Sequence, residues 1–280
     1  MKKIKLSDKQ LSNIKRIELN ILEEIDRICR KNNIKYSVFW GTLIGQIRHG
    51  GFIPWDDDID IVMPIEDYDK FIECIKKDLN TNLYYFANYH DFKDYGLPFG
   101  KMMAKNTIMK EISIKNNNAP NGIFVDIIPI YPTSNNIEEI NEQCNTAKKI
   151  YKKLLCKANY TYTDNIFKLF LYRVKKIFYI FESKNKLIND WEKNARKYVE
   201  KDFSNYAAFC MTSTIEKGIF KKELFDKYID AKFEHLNVMM IENGDAALRN
   251  SYGDYMQLPP IEEQVSHHFV CEIEYENFNK

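Results

Sequence analysis

Four carboxylates run straight into an apolar segment. Asp56, Asp57, Asp58 and Asp60 fill four of five consecutive positions, and residues 59–63, IDIVM, have the composition of a buried strand. Charges this dense repel one another unless a cation sits among them, and a charge carried into an apolar interior must be paired or bound to metal. The chain must therefore fold so that a core lies under this strand while its acidic end meets something positive. Asp58 and Asp60 are two apart, so an extended backbone points both to one face, with Asp57 and Ile59 on the other. A same-face carboxylate pair at a strand end suits Mg2+ (or Mn2+), which takes oxygen ligands and commonly bridges to phosphate.

The residues around this run extend the argument. Residues 36–40 read as a short strand, and Gly41-Thr42 turn the chain into a helix expected over residues 43–49. Such a turn is either a phosphate cradle, with free N–H groups at the positive helix end, or a plain N-cap with nothing bound. Downstream, Asp126 stands inside the apolar run GIFVDIIP. Beside the first pair it is expected as a third metal carboxylate or a base on a neighbouring strand. Lys101 and Lys105 flank a strand expected over residues 99–104, paired with residues 83–87; each is either a phosphate neutraliser or a solvated edge lysine. Asp58, Asp60 and Asp126 around one or two divalent ions, with phosphate bridging, make an in-line phosphoryl-transfer site. Asp126 is then the candidate base for an acceptor hydroxyl. The spacing Asp56, Asp58, Asp60 also fits the start of a calcium loop, but Ile61 stands where glycine is needed and Asp67 where glutamate is, which excludes an EF-hand.

The rest of the chain bounds the class. Ser7 and Gln10 have capping-box spacing, and Leu11, Ile14, Ile17, Ile21, Ile25 and Ile28 follow at helical steps toward Asn32-Asn33. A second helix is expected from Asp67 to Leu79, helical structure over residues 137–199, a late strand over residues 207–211, and further helices over residues 221–226 and 235–248. Residues 141–200 hold 14 Lys or Arg against 6 Asp or Glu. Within them residues 165–181, NIFKLFLYRVKKIFYIF, fit either a core helix with a basic edge or an interfacial membrane helix. A net charge of +1 and no recognised motif argue against nucleic acid. Six scattered cysteines without CxxC spacing, and a start without an apolar leader, lead us to expect reduced thiols and a cytoplasmic location.

The combination of GTLIG at 41–45, RHGGFIPWDDDID at 48–60, Lys101 in a strand, Asp126 in its apolar run, YGDYMQLPP at 252–260 and SHH at 266–268 resembles the LicD family and, more distantly, the fukutin-type proteins. The resemblance implies an α+β, nucleotidyltransferase-like fold, a small mixed sheet flanked by helices with an added helical region. It implies a catalytic core over residues 1–135, a basic helical region over 136–200 that meets membrane or acceptor, and a C-terminal part over 201–280 that completes the site. It further implies transfer of phosphocholine, or a related phospho-alcohol, from CDP-choline or a similar CDP-linked donor. The acceptor would be a hydroxyl of a cell-surface glycan or teichoic acid precursor, lipid-linked at the inner membrane face, where the enzyme would make peripheral contact. Gly41 and Thr42 match the phosphate-contacting turn, Asp58 and Asp60 the metal pair, and Asp126 the third acid. Trp55, Tyr252 and Tyr255 are candidates for a quaternary ammonium by cation–π attraction, against simple core packing. His267 and His268 are candidates for nucleotide or phosphate. Arg48 would neutralise donor phosphate or pair with Asp56 or Asp57. The alternatives are a nucleotidyltransferase using a nucleoside triphosphate, and a non-catalytic, metal-stabilised scaffold in glycan assembly.

Overall fold

The computed structural model describes residues 4–161, 172, 174, 176, 179, 181–210, 215–266 and 268–278. Most of the basic aromatic segment 165–181, and all of His267, lie outside the described residues. No helix among the described residues is long and apolar enough to cross a membrane.

The first helix, α1 (Asp8–Lys31), opens on the capping box that its sequence announces: the Ser7 hydroxyl accepts from the Gln10 N–H and the Gln10 side chain accepts from the Ser7 N–H. Ile14, Ile17, Ile21, Ile25 and Ile28 are fully buried. Burial of each such side chain contributes about 1.5–3 kcal/mol, so this stripe outweighs any propensity term in the helix. It lies against the central sheet.

That sheet has strand order β1 (Ser37–Val38), β2 (Asp60–Pro64), β6 (Phe124–Thr133), β4 (Gly100–Ala104), β3 (Tyr84–Ala87). The β2–β6 pair is parallel and the others are antiparallel, as expected of a mixed sheet. Strand β6 is buried along all ten residues, because it has a strand on each side and helices over it. Its far end pairs with β7 (Asn205–Ala207), which pairs in turn with β8 (Ile219–Lys221). Helices α2 (Trp40–His49), α3 (Ile65–Asp78), α4 (Ile137–Lys157), α5 (Lys184–Ala195) and α6 (Gly244–Tyr252) complete the α+β architecture among the described residues. A separate strand pair joins β5 (Ile108–Glu111) to β11 (Val270–Glu274) and brings the C-terminal tail back to the sheet.

Three expectations change. Residues 36–40 form only a two-residue strand, because α2 already begins at Trp40. The helix expected over residues 235–248 is a hairpin followed by a shorter helix: β9 (Tyr228–Phe233) pairs with β10 (Leu236–Ile241), and α6 starts at Gly244. The hairpin turn is Glu234-His235, with Glu234 at φ 54°, a left-handed position taken without the glycine that would have marked it. Glu234 is held there by the turn it meets, its N–H donating to the Gly50 carbonyl and its carboxylate accepting from the Phe52 N–H. The short helix expected over residues 221–226 is a 3-10 turn, Lys222–Phe225.

Candidate active site

Pairing register builds the site. Asp60 opens the parallel β2–β6 ladder opposite Asp126, and Asp126 in turn faces Lys101 on β4. Partnered residues on adjacent strands project to the same face, so Asp60, Asp126 and Lys101 form one row across the sheet. Lys101 and Asp126 close a buried ion pair, Nζ to Oδ1 at 2.9 Å, and the same ammonium lies 3.2 Å from the centroid of the Phe124 ring. Burial pushes the Asp126 carboxyl up, and the Lys101 ammonium only partly offsets it. Burial raises Asp60 well above the ordinary range, with the charges of Asp58 and Asp126 adding to it.

The acidic run is fixed from the other side by α2. The Thr42 hydroxyl accepts from the Asp60 N–H at 2.8 Å, which ties the first turn of α2 to the start of β2. Gly41 packs closely on the acidic run: a Cβ there would lie 2.9 Å from Asp56 Oδ2 and displace that carboxylate. Trp40, the first residue of α2, has φ 45°, a strained conformation for a bulky residue, and its side chain lines the cleft. Asp56 is pushed up to about 8, first by burial and then by the charge of Asp58 and a hydrogen bond with it. These residues surround a cleft of about 800 Å³ whose walls include Asp56, Asp58, Asp60 and Asp126 together with Trp55 and Tyr252.

The tail adds an imidazole. The β5–β11 pairing delivers His268 to the cleft, with Nδ1 3.3 Å from Asp57 Oδ1 and 4.0 Å from Asp58 Oδ2, Nε2 3.7 Å from Glu111 Oε1, and the ring edge-on to Phe124. Burial disfavours its charge, but the hydrogen bond to Asp57 and the charges of Asp58, Glu111 and Asp57 together hold it well above the ordinary histidine range. Among the described residues, the carboxylates of Asp57 and Asp58 and the His268 ring offer ligand atoms that all lie within 4.8 Å of one another.

Against this geometry the expected site residues divide. Asp58, Asp60, Asp126, Gly41, Trp55, Tyr252 and His268 all line one cleft. Thr42 is buried, with its hydroxyl engaged by the Asp60 backbone. Lys101 is neither an edge lysine nor open to solvent, being buried against Asp126. Two expectations are corrected. Arg48 meets neither Asp56 nor Asp57 and does not line the cleft: its Nη1 donates to the carbonyls of Tyr255 and Gln257 at 2.6 and 3.3 Å and so clamps the tail. Tyr255 is buried and donates its hydroxyl to Asp245 at 2.7 Å, so it does not face a ligand in the cleft. Sequence reasoning passes over Cys210, which lines the cleft, and over Glu18, a fully buried acid on α1. Glu18 carried a signal, since it interrupts the apolar stripe between Ile14 and Ile21.

A family model described as "LicD/FKTN/FKRP, nucleotidyltransferase domain" matches residues 33–158. The chain is also 31% identical over 283 residues to the lipopolysaccharide cholinephosphotransferase LicD of Haemophilus influenzae, covering 96% of this chain and 97% of that one. The chain belongs to the LicD family. Shorter matches cover 70 residues of an uncharacterized Rickettsia prowazekii protein at 41% identity, 23% of this chain and 26% of that one, and 67 residues of one from Rickettsia typhi at 37%, 24% of this chain and 20% of that one. The stretch matched by the family model contains α2, the acidic run, Lys101 and Asp126. His268 lies beyond that stretch, although within the similarity to the Haemophilus LicD protein, which spans nearly the whole of both chains.

Carboxylate oxygens suit a hard divalent cation, and the charges of Asp58 and Asp126 already bear on Asp60. Among the described residues, however, Asp58, Asp60 and Asp126 do not bring their ligand atoms within 4.8 Å of one another, as Asp57, Asp58 and His268 do.

Proposed function

We propose that this LicD-family chain transfers phosphocholine, or a related phospho-alcohol, from a CDP-linked donor to a hydroxyl of a cell-surface glycan precursor. The observation that carries this reading is the end-to-end similarity to a protein named as a lipopolysaccharide cholinephosphotransferase. The gathering of Asp58, Asp60 and Asp126 on one cleft supports it. In the proposed reaction an acceptor oxygen bonds to the phosphorus of the phosphocholine group and the bond from that phosphorus to the oxygen of CMP breaks. The hydroxyl proton passes to a base and CMP leaves.

The chain's residues take the following parts. Asp126 takes the proton: burial raises its carboxyl, and the Lys101 ammonium 2.9 Å away partly offsets that and orients it. Mg2+ or Mn2+, held by Asp58, Asp60 and Asp126, would neutralise phosphate charge. Gly41 lines the cleft at the first turn of α2, where a phosphate would meet the positive end of that helix. Trp55 and Tyr252 offer aromatic faces to a trimethylammonium group. Nucleotide-linked donors place the reaction in the cytoplasm, and a lipid-linked acceptor would bring the protein to the membrane face.

The family model's own description favours one rival, transfer of a nucleotidyl group from a nucleoside triphosphate. The test is turnover of CDP-choline, CDP-ethanolamine and CTP, each with and without Mg2+, in the presence of a glycan acceptor. Metal-dependent CMP release from a CDP-alcohol supports the proposal. Pyrophosphate release from CTP moves the reading to nucleotidyl transfer, and silence with all three, with intact metal binding, argues for a scaffold.

A further inference from the structure

We propose that a groove beyond the end of β6 remote from Asp126 binds a neutral sugar unit, and that this sugar belongs to the glycan acceptor; only the second clause rests on the transferase reading above. The groove encloses about 670 Å³ and shares no lining residue with the catalytic cleft. Four asparagines reach it from four places in the fold: Asn135 after β6, Asn205 on β7, Asn243 before α6 and Asn250 on α6. Ile219 and Leu224 give it an apolar wall, and Ile137, 61% exposed, adds an apolar contact open to solvent. Its charged lining residues, Lys221 and Glu223, are of opposite sign.

The observation that points to a ligand is Asn205. It is 8% exposed, and among the described residues its amide meets no hydrogen-bond partner. Its backbone is held on both sides, by Thr133 of β6 and Lys221 of β8, so the strand does not need the side chain. Asparagine is disfavoured in strands, and a buried amide without a partner costs stability, so valine would serve the sheet better. The amide lines the groove instead. Asn243 repeats the pattern: it precedes α6 without capping it, and its side chain makes no hydrogen bond among the described residues. Asn135 accepts from the Ser204 N–H at 2.9 Å through its carbonyl oxygen, which leaves its NH2 group to donate. A carboxamide offers a donor and an acceptor side by side without charge, which fits adjacent sugar hydroxyls, while apolar side chains fit the C–H face of the ring. Phosphate would call for several arginines or lysines. A quaternary ammonium would call for open aromatic faces, and Phe220, the aromatic residue of the lining, is 1% exposed. Helix α6 joins the two sites: Asn250 lines the groove and Tyr252, two residues on, lines the cleft, so a sugar held in the groove keeps the rest of its chain near the cleft.

The experiment is saturation-transfer NMR on the full chain with the methyl glycosides of glucose, galactose, N-acetylglucosamine and N-acetylgalactosamine, without nucleotide or metal. At least one glycoside should give a signal with the wild type. That signal should vanish in Ala246→Trp, which fills the groove from α6, and fall several-fold in Asn205→Leu. It should persist when CDP-choline is added. No signal from any of the four, which means that the groove holds solvent only, overturns the proposal; so does a signal unchanged in both variants, or one that CDP-choline displaces, which would place the sugar in the cleft. Circular dichroism and urea unfolding check each fold. Asn205→Leu should keep or raise the urea midpoint, because the amide it removes has no partner in the protein, and it carries the test should Ala246→Trp fail to fold. In the turnover assay Ala246→Trp should raise the KM for an oligosaccharide acceptor several-fold while CMP release to water is unchanged; an unchanged KM overturns the acceptor role. Glycoside binding without turnover of any donor refutes the transferase reading and leaves the sugar site standing.

Discussion

Replacing Glu18 with methionine should stabilise the metal-free protein. Methionine is unbranched and close to glutamate in length, so it fills the same space without a cavity, and the two differ little in helix propensity. What changes is the removal of a carboxyl that is fully buried with both oxygens unpartnered. Leaving such a group unsatisfied costs about 1–3 kcal/mol, and that penalty is what the substitution releases. At roughly 2–4 °C per kcal/mol for chains approaching this size, the melting temperature should rise by about 2–12 °C. The assay is urea and thermal unfolding in EDTA, followed by the fluorescence of Trp40 and Trp191, both buried. A loss of more than about 1 kcal/mol in EDTA would refute the reasoning, since it would mean that the carboxyl has native partners whose hydrogen bonds outweigh its burial.

Other outcomes follow from the same geometry. Asp126→Asn should lower transfer by about 10²–10⁴-fold with an unchanged circular dichroism spectrum, as expected for loss of a base; equal loss of activity and of thermal stability would instead mark Asp126 as structural. Gly45→Ala should destabilise by about 3 kcal/mol, at the upper end for overpacking, because its Cβ would lie 2.3 Å from the Gly51 carbonyl oxygen and 3.0 Å from the Ile53 nitrogen, backbone atoms that cannot turn aside; a normal urea midpoint would show that the α2 turn yields. The Cys210 thiol is held up by burial and by the charges of Asp60 and Asp126, so iodoacetamide should label it slowly at pH 7.5 and several-fold faster in saturating Mg2+. A rate indifferent to Mg2+, read by peptide mass spectrometry, would count against a cation beside Asp60 and Asp126.

Much of this molecule was legible before folding. The stripe of isoleucines and the Ser7–Gln10 box specify α1 because both are local: a helix buries one face, and its cap lies three residues from its partner. Likewise Asp60 and Asp126 declared themselves as charges within apolar strands, a pattern that is tolerable only where something compensates it. The β9–β10 hairpin was hidden because its turn uses Glu234-His235, stabilised by contacts to residues far away in sequence, and because its Leu-Asn-Val-Met-Met-Ile run suits a helix as well as a strand.

The sequence alone determined which residues carry charge into the core, and that some of them must meet a cation or a phosphate. Only the tertiary structure decided which of them meet. Parallel register sets Asp60 against Asp126, and the next strand sets Lys101 on its other side. The β5–β11 pairing carries His268 to Asp57 across 211 positions of chain, while Arg48 and Tyr255, equally suggestive in sequence, are spent on the tail's own backbone and on Asp245. The physical reason is that hydropathy and spacing report a residue's own environment, whereas a site is a relation between strands, and register is settled by the packing of the whole sheet.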